Sequence, residues 1–261
     1  MTAGLLPFEP RVAAASLSGE SDAGWARAAA PHVGAAFLGG LAIDGPTREA
    51  AHAMAENRDR EEFLPADPFA FAARQLDALT AVPVVPGLNV RTSTTGPLHT
   101  VAAICAEQDA ICEVNAHCRQ TEMCETGAGQ ALLADPDRLA THVETAADTD
   151  ATVSVKVRAE VAGVDLPAVA RRVERAGADV IHVDAMDSER AIREVVAATD
   201  LFVIANNGVR NRATTREYLA YGADAVSVAR ASDRPAILDR VQQATRQWFE
   251  PSDEPNAEAS R

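Results

Sequence analysis

Arg175-Ala176-Gly177-Ala178-Asp179-Val180 has a second version later in the chain, Ala220-Tyr221-Gly222-Ala223-Asp224-Ala225. In both versions, glycine ends a helical pattern and aspartate precedes a new strand-like run. Glycine is common just after a helix because it adopts the left-handed conformation without a Cβ clash. A helix that leads directly into a strand is the connection expected in parallel α/β folds. The two segments therefore predict repeated strand-helix units.

Eight short apolar runs along the chain are typical of strands in a sheet that is buried on both faces. They are Val12–Leu17, Val33–Leu38, Val82–Leu88, Ile111–Asn115, Thr152–Val157, Val180–Asp184, Leu201–Ala205 and Ala225–Ala229. Helical patterns lie between them, most opened by proline or by a Ser, Thr or Asp cap. They are Pro46–Glu56, Pro68–Leu79, Pro97–Glu107, Pro136–Ala147, Leu166–Ala176, Ser188–Ala198, Thr214–Tyr221 and Pro235–Phe249.

Eight strands, each followed by a helix, predict the α/β class and, within it, a single (β/α)8 TIM barrel, a fold that takes about 250 residues. We expect the barrel to cover residues 1–249. Residues 250–261 are polar and acidic, so we expect them to form a disordered tail with no second domain after the barrel.

The composition is strongly acidic, with 38 Asp and Glu against 24 Lys and Arg and a formal charge of −14. This charge disfavours nucleic acid as a partner on electrostatic grounds alone. Acidic excess with almost no lysine is typical of halophilic proteins, which stay soluble in a salt-rich cytosol. The start of the chain has no charged segment before an apolar stretch, and no apolar run reaches about 18 residues. We expect a cytoplasmic protein without membrane contact.

Lysine occurs once, at Lys156, within the strand-like run Thr152–Arg158, whereas the other 23 basic side chains are arginine. A compact ammonium group can be desolvated beside a developing anion in a way that a planar guanidinium cannot. Lys156 is therefore a candidate for chemistry, although one lysine surviving by chance in a half-buried strand is the alternative.

Polar residues follow the predicted strands at their C-terminal ends, where barrel enzymes carry their active sites. They are Asn115, His117, Cys118, Lys156, Arg158, His182, Asp184, Asn206, Asn207, Gly208 and Arg230. His182 lies in an apolar strand, where a core role is as plausible as a catalytic one. Asn206-Asn207-Gly208 fits a simple turn. With the loop near Arg230 it fits equally well a set of backbone N–H groups for a phosphate.

The four cysteines, Cys105, Cys112, Cys118 and Cys124, contain no C-x-x-C pair, which argues against zinc or an iron–sulfur cluster. Cys105 and Cys112 have apolar surroundings typical of inert buried thiols. Cys118 and Cys124 lie among polar residues and are the candidates for chemistry.

Two acidic clusters give no metal assignment. Asp59, Glu61 and Glu62 form a mixed-charge loop that we interpret as a solvated insertion or lid. Asp184 and Asp187, near His182, are explained equally well by a strand position and a helix cap. We therefore predict no metal.

The stretch Ile111–Cys118, followed by Gly127–Pro136, resembles the signature of the tRNA-dihydrouridine synthase family. In that family a strand ending in Asp-Ile-Asn leads to Gly-Cys-Pro, Gly-Ala-Gly, Leu-Leu and a helix near Asp-Pro. The resemblance continues downstream over the strand with Val-Lys-Ile-Arg, the histidine strand, the Asn-Gly phosphate turn and the last strand. The matching segments here are Val155–Arg158, Ile181–Val183, Ala205–Gly208 and Gly222–Val226. The resemblance spans roughly residues 80–235.

The resemblance implies bound FMN, reduced by NAD(P)H, with Lys156 beside the flavin pyrimidine edge, where positive charge stabilises reduced flavin. It implies that Cys118 protonates uracil C5 while hydride reaches C6, and that tRNA is the substrate. Asn115 would contact the substrate, and Arg158 would assist in substrate or flavin binding. His182 would line the flavin pocket. The phosphate would rest on backbone around Asn207, Gly208, Ala229 and Arg230.

The chain departs from the family pattern at several points. His117-Cys118-Arg119 replaces Gly-Cys-Pro, and Cys124 is a rival thiol. Ala229-Arg230 replaces Gly-Arg, and Ala14–Gly19 replaces the N-terminal Met-Ala-Pro-Met. The glutamine usual on strand three has no clear partner in Pro86–Asn89. The helical C-terminal domain that helps grip tRNA is absent from the sequence.

Three interpretations therefore stay open. The first is an FMN-dependent reductase of a uracil ring in tRNA. The second is an FMN-dependent dehydrogenase of a small pyrimidine-like molecule, similar to dihydroorotate dehydrogenase. The third is a flavin-free barrel, either a lyase or isomerase with Lys156 as Schiff base or a binding scaffold. The sequence gives no basis for an oligomeric state.

Overall fold

The computed structural model of the 261-residue chain describes residues 8–58, 61–186, 188 and 190–250. Its strands are β1 Val12–Ala14, β2 Ala35–Ala42, β3 Val85–Arg91, β4 Ile111–Asn115, β5 Thr152–Arg158, β6 Val180–Asp184, β7 Phe202–Asn206 and β8 Ala225–Val228. Its helices are α1 Ala23–Ala29, α2 Gly45–Arg58, α3 Pro68–Asp77, α4 Thr95–Glu107, α5 Thr121–Glu125, α6 Gln130–Leu133, α7 Pro136–Ala147, α8 Leu166–Arg175, α9 Arg190–Val196, α10 Arg212–Ala220 and α11 Pro235–Phe249.

The strands close into a parallel barrel in chain order, from β1 to β8 and back to β1. The predicted single (β/α)8 TIM barrel is therefore confirmed. The register places Asn115 of β4 opposite Lys156 of β5, and Lys156 opposite His182 of β6. Three polar side chains predicted for the site thus come from the same level of adjacent strands.

The lower half of the barrel interior is apolar and closed. Phe37 of β2 packs there with Phe8 and Phe202, whose rings lie 5.4 Å apart, and with small residues such as Ala13 and Ala225. Gly87 on β3 leaves room for Phe37, because an added Cβ would come within 2.5 Å of its ring. With the lower half filled, polar groups inside the barrel are confined to the upper half.

The outer core lies between the strands and the surrounding helices, where valines and leucines from both layers are buried. The helix starts follow the predicted cap chemistry. Asp67, Asp135 and Asp165 each accept a backbone N–H of the first helical turn, and proline occupies the start of α3, α7 and α8. Such caps satisfy donors that have no partner within the helix.

Some element boundaries differ from those predicted. β1 ends at Ala14 rather than Leu17, and β3 begins at Val85 and continues to Arg91 rather than ending at Leu88. The short helices α1, α5 and α6 were not predicted, since helices of four to seven residues carry little periodic signal. Of the predicted tail at 250–261, residues 251–261 lie outside the described residues, as do Asp59 and Asp187.

Candidate active site

A cavity of about 620 Å3 opens at the C-terminal ends of the strands. Side chains or backbone from most of the βα loops line it, which is the usual position of a barrel active site. Its lining includes Ser16, Asn89, Arg91, Asn115, His117, Cys118, Arg119, Lys156, Arg158, Asp184, Asn206, Asn207, Gly208, Arg210, Ser227, Ala229 and Arg230.

A chain of buried hydrogen bonds crosses the barrel and forms the floor of this cavity. The amide of Asn115 donates to Asn89 Oδ1 at 2.8 Å, and Asn89 donates to Glu113 at 2.8 Å. The other carboxylate oxygen of Glu113 is 2.8 Å from His182 Nδ1, and His182 Nε2 is 2.7 Å from Ser227 Oγ. Because each group is bonded on both sides, the floor is fixed in one arrangement.

Glu113 is the charged centre of this floor. Burial alone would raise the pKa of its carboxyl, but His182, Lys156 and the amide of Asn89 outweigh that effect and lower the pKa to about 2. Burial lowers the pKa of His182 despite the neighbouring carboxylate. A carboxylate that accepts several hydrogen bonds in a buried site stays ionised. The floor therefore holds a permanent negative charge beneath the cavity.

His182 does not occupy the place predicted for it. The side chain has no exposed surface and lies below the cavity, against the ring of Phe37 at 5.3 Å. Both of its ring nitrogens are bonded within the chain. His182 connects Glu113 to Ser227 in the floor, and its predicted contact with a flavin stays a prediction.

Lys156 extends into the cavity from β5 and is 4% exposed. Burial lowers the pKa of its amine, while the carboxylates of Glu113 and Asp184 act in the opposite direction. Its Nζ donates to Ser16 Oγ at 3.5 Å, a long bond for a group that has three donors. The geometry leaves this ammonium able to serve an additional acceptor within the cavity.

The loop after β4 carries Cys118 and is held by Asn115. Asn115 Oδ1 accepts the backbone N–H of His117 at 3.1 Å and of Cys118 at 2.9 Å. With Asn89 accepting from Nδ2, the Asn115 side chain has one amide hydrogen left for a ligand. Cys124 does not line the cavity, and its thiol donates to the Cys118 carbonyl at 3.4 Å. Cys118 is thus the thiol that faces the cavity.

Arg91 is a cavity residue that the sequence analysis missed. Its guanidinium is 1% exposed, donates to the Gly40 carbonyl and pairs with the fully buried carboxylate of Glu62. It also contacts the thiol of Cys118. The interpretation of Glu62 as part of a solvated loop was therefore wrong, because its carboxylate neutralises a buried arginine.

His117 and Asp184 are hydrogen-bonded at the cavity wall, with Nε2 and Oδ2 separated by 2.6 Å. Their side chains are 30% and 14% exposed, so the pair borders the open part of the cavity. Asp184 also accepts the backbone N–H of Met186 at 3.2 Å.

The loops after β7 and β8 form a cradle at one end of the cavity. Asn207 and Gly208 have φ angles of 93° and 68°, which turn their peptide groups out of the strand direction. Tyr218 fixes the turn by donating to the Asn207 carbonyl at 2.9 Å. An added Cβ on Gly208 would meet nothing within 4 Å, so space lies above it. Ala229 and Arg230 line the same cavity.

Arg158 adds an observation that points to a ligand. It is 7% exposed, and its Nε is buried without a hydrogen-bond partner among the described residues. Buried guanidinium donors are normally paired, because an unpaired one loses its solvation without compensation. An anionic or carbonyl-bearing ligand in the cavity would supply the missing acceptor.

Most predicted site residues line this cavity: Cys118, Lys156, Asn115, Arg158, Asn207, Gly208, Ala229 and Arg230. His182 lies beneath it, and Asn89, Arg91, Glu113 and Ser227 were not predicted. Asn89 and Arg91 alternate on β3, but the predicted strand ended at Leu88. Extending that strand by three residues would have placed both side chains inside the barrel.

No helix within the described residues is long and apolar enough to cross a membrane. In the same part of the chain, no group of three or more His, Cys, Asp or Glu side chains is placed to hold a metal ion.

The fold is a closed parallel TIM barrel with a polar cavity at its C-terminal face, and a buried lysine, a thiol and a glycine turn line this cavity. The sequence model of the dihydrouridine synthase (Dus) family matches residues 88–261, about two thirds of the chain. The protein belongs to the dihydrouridine synthase family, and this membership indicates an oxidoreductase.

Relatives agree with this assignment at the level of fold. An uncharacterized protein of Methanocaldococcus jannaschii is 25% identical over 234 residues, covering 85% of this chain and 89% of that protein. Two structures of FabK from Thermotoga maritima, one of a mutant, match at 15% identity with TM-scores of 0.58 and 0.57. They cover 86% of this chain, which spans less than two thirds of theirs, 62% and 59%.

A third structure, 3-hexulose-6-phosphate synthase from Salmonella typhimurium, matches with a TM-score of 0.53 at 15% identity. The match covers 91% of this chain and 99% of that chain. At this level of identity, these likenesses concern the barrel alone.

Proposed function

We propose that the protein is an FMN-dependent oxidoreductase that reduces the C5–C6 bond of a uracil ring in tRNA, with NAD(P)H as electron donor. The observation that carries the proposal is that Cys118, Lys156 and the Asn207-Gly208 turn line one cavity. By the sequence resemblance to the family, these residues would take the roles of the acid, the flavin lysine and the phosphate turn.

The charges and hydrogen-bond donors of the cavity support FMN as the cofactor. The FMN phosphate would accept hydrogen bonds from backbone N–H groups in the Asn207-Gly208 turn. The positive charge of Arg230 would stabilise it. Lys156, with donors to spare and a pKa lowered by burial, would lie against the electron-rich edge of the ring system. The unpaired Nε of Arg158 would donate a hydrogen bond to a ligand oxygen. When bound, FMN would supply the hydride for uracil C6.

The chain's own contribution to the reduction would be the proton for C5, held at Cys118 Sγ. Arg91 contacts this thiol, so its positive charge lies where negative charge develops as the proton leaves. Asn115 would hold the loop in place through two backbone amides and offer its remaining amide hydrogen to the substrate. General acid catalysis of this kind typically contributes about 10²–10⁴-fold in rate.

One observation favours a second candidate function, the oxidation or reduction of a small pyrimidine-like molecule. The chain carries a formal charge of −14, and a polyanion such as tRNA is repelled by such a surface at low salt. The arginines of the cavity, among them Arg119, Arg210 and Arg230, would counter this repulsion at the mouth. We place the protein in a salt-rich cytoplasm, where screening weakens the repulsion.

The flavin-free interpretations have less support. A lyase or isomerase that uses Lys156 as Schiff base would need a neutral amine, and burial does lower the pKa of this amine. Membership in the dihydrouridine synthase family favours the flavin-dependent alternatives instead.

The experiment is flavin retention followed by product analysis. The wild-type protein and Lys156→Ala are purified in high salt, loaded with FMN, desalted and scanned for flavin absorbance, with Arg190→Ala as a surface control because Arg190 is 81% exposed. Wild type and control should retain flavin, and Lys156→Ala should lose most of it. A wild type that retains no flavin would contradict the proposal.

The loaded wild-type protein is then given NADPH with either unmodified tRNA transcript or free uridine, and dihydrouridine is measured by mass spectrometry. Product from tRNA alone supports the first function. Product only from free uridine or another free pyrimidine supports the second.

A further inference from the structure

The His117–Asp184 pair is a feature of the site that the proposed reduction does not use. His117 stands next to Cys118, and its backbone N–H is held by Asn115 Oδ1 at 3.1 Å. Its Nε2 lies 2.6 Å from Asp184 Oδ2 on β6, and both residues line the cavity. The backbone of His117 and one nitrogen of its ring are therefore both held in place.

The pairing fixes which ring nitrogen carries the proton. Burial alone would raise the pKa of Asp184, but the bond from His117 and the backbone of Met186 outweigh it and lower the pKa, so Asp184 is a carboxylate. A carboxylate only accepts hydrogen bonds, so Nε2 must carry the hydrogen. In the neutral imidazole Nδ1 is then a bare acceptor. It has no hydrogen-bond partner among the residues that the structure describes.

The surroundings keep the imidazole neutral. Burial is the largest influence and lowers the pKa of His117, and the charges of Lys156 and Arg158 on β5 act in the same direction. Asp184 on β6 acts in the opposite direction without reversing the shift. His182, from the floor below, is the other titratable group that faces this ring. Near neutral pH, Nδ1 is thus available as an acceptor.

Nδ1 is an acceptor in a cavity that also presents groups that can only donate. Lys156 and Arg158, whose charges act on the His117 ring, line this cavity together with Arg119, and ammonium and guanidinium groups have no acceptor atoms. The side-chain oxygens of Asn89 and Asn115 are taken within the chain. The cavity thus combines the His117 acceptor with several cationic donors.

We propose that His117 is a specificity-determining residue whose Nδ1 accepts a ring N–H of the substrate, which selects an imide ring of the uracil type over a ring with a bare nitrogen at that place. The edge of such an imide carries one N–H between two carbonyl oxygens. It thus matches an acceptor flanked by cationic donors. A cytosine-type ring, which offers a lone pair there, would face Nδ1 without a hydrogen bond. The inference rests on the proposed function, because it assigns the substrate edge for that same cavity.

The first test measures binding without turnover. Dissociation constants of the FMN-loaded protein for uridine and for 3-methyluridine, which lacks the N–H, are determined by calorimetry for wild type and His117→Ala. The control is His99→Ala, which removes an exposed histidine. Loss of one hydrogen bond corresponds to about a tenfold change in affinity.

Wild type and the control should bind uridine about tenfold more tightly than 3-methyluridine. His117→Ala should lose about tenfold for uridine without a matching loss for 3-methyluridine. Unchanged uridine affinity in His117→Ala would overturn the inference. In that case the weaker binding of 3-methyluridine would come only from the bulk of its methyl group, and not from a lost hydrogen bond to His117. Equal binding, or no binding, of the two compounds by wild type would overturn it too.

The second test reads the tautomer directly by ¹⁵N NMR of the histidine rings, with the His117 signals assigned from the His117→Ala spectrum. Wild type should show the Nε2–H form. Asp184→Asn, whose amide oxygen can still accept from Nε2, should keep that form and most of the uridine affinity. Asp184→Leu should lose both the Nε2–H form and most of the uridine affinity. An Nδ1–H form in wild type would refute the inference.

The two hypotheses fail in different ways. A protein that binds uridine through His117 but forms no dihydrouridine with NADPH and FMN would refute the proposed function and leave the inference standing. If the protein reduces uracil but its affinity for uridine does not depend on His117, the inference is refuted and the proposed function stands.

Discussion

Two cysteines lie six residues apart, Cys118 in the loop after β4 and Cys124 in α5, and their surroundings differ. Cys118 lines the cavity and contacts the Arg91 guanidinium. Cys124 donates its thiol hydrogen to the Cys118 carbonyl, and burial raises its pKa. A thiol whose pKa is raised and that does not line the cavity is poorly placed to donate a proton to a ligand there.

We therefore expect Cys118→Ser to lower dihydrouridine formation by about 10²–10⁴-fold, the usual worth of a general acid. Cys124→Ser should remain within a few-fold of wild type, since it keeps a hydroxyl donor to the same carbonyl. The measurement is the single-turnover rate with FMN-loaded protein and an unmodified tRNA transcript. Equal losses in the two variants would show that the loop, and not the Cys118 thiol, limits the reaction.

The residues of the site were only partly predictable from the sequence. Lys156 could be found because it is the one lysine of the chain, and Cys118 because it lies in a recognisable motif. Glu113 was missed because a polar residue within an apolar strand does not reveal whether it faces the interior or the helices, and Asn89 was missed because the predicted strand ended one residue before it. That choice depends on register, which only the paired strands determine.

At the scale of elements, Asp44 joins the loops that follow β2 and β3. Its carboxylate accepts the backbone N–H of Thr47, Ser93 and Thr94, at 3.0, 2.7 and 3.0 Å, and the hydroxyl of Thr92 at 2.9 Å. Burial would raise the pKa of this carboxyl, but these hydrogen bonds outweigh it and lower the pKa to about 2.

The depressed pKa gives a pH dependence of stability with a definite sign. Because the folded value lies below the unfolded one, the stabilisation is complete above about pH 4 and is lost as the pH falls towards about 2. We expect Asp44→Asn to cost roughly 2 kcal/mol at pH 6 and about half as much at pH 3. Urea denaturation at both pH values measures this, with the exposed Asp148→Asn as control. A cost that does not shrink on acidification would contradict the assignment.

The second glycine of the Gly-Ala-Gly motif after α5 has an identifiable physical role. Gly129 has a φ of 60°, and an added Cβ would lie 2.4 Å from the Cys118 carbonyl oxygen. The same carbonyl accepts the Gln130 backbone N–H at 2.8 Å. The glycine therefore lets the chain pass closely over the cysteine loop and keep it in place.

Gly163 offers a matched control for this position, because its φ is 78° but an added Cβ would meet nothing within 4 Å. We expect Gly163→Ala to cost about 1 kcal/mol from backbone strain alone. Gly129→Ala should cost more, about 2–4 kcal/mol, and should also reduce activity by displacing Cys118. Thermal unfolding and turnover of the two variants provide the comparison. Equal costs would mean that the close approach to Cys118 is unimportant.

At the scale of the whole molecule, the fold was the most predictable property. Each strand is a short apolar run, the helices open on proline or a cap, and eight such units leave little choice of topology. The ends of β3 and the short helices α5 and α6 were less predictable from the sequence. They shape the loops over the cavity, where tertiary contacts such as those of Arg91 and Gly129 decide the backbone path.

The net charge has a consequence for the molecule as a whole. A formal charge of −14 on 261 residues makes the compact state repel itself, and dissolved salt screens that repulsion. Screening is nearly complete at about 1 M salt, where the Debye length falls to about 3 Å. We therefore expect the midpoint of thermal unfolding to rise between about 0.05 M and 1 M NaCl, most steeply at the low end.

A charge-reduced variant distinguishes screening from other effects of salt. Glu56, Glu107, Glu144 and Asp148 are exposed on or beside helices, and replacing them with Gln and Asn removes four negative charges without touching the core. The variant should unfold at a higher temperature than wild type in low salt and should show a weaker salt dependence. A further rise in both proteins above about 1 M would reflect exclusion of salt from the surface. A midpoint that stays flat or falls below 1 M would show that self-repulsion does not limit the stability of this barrel.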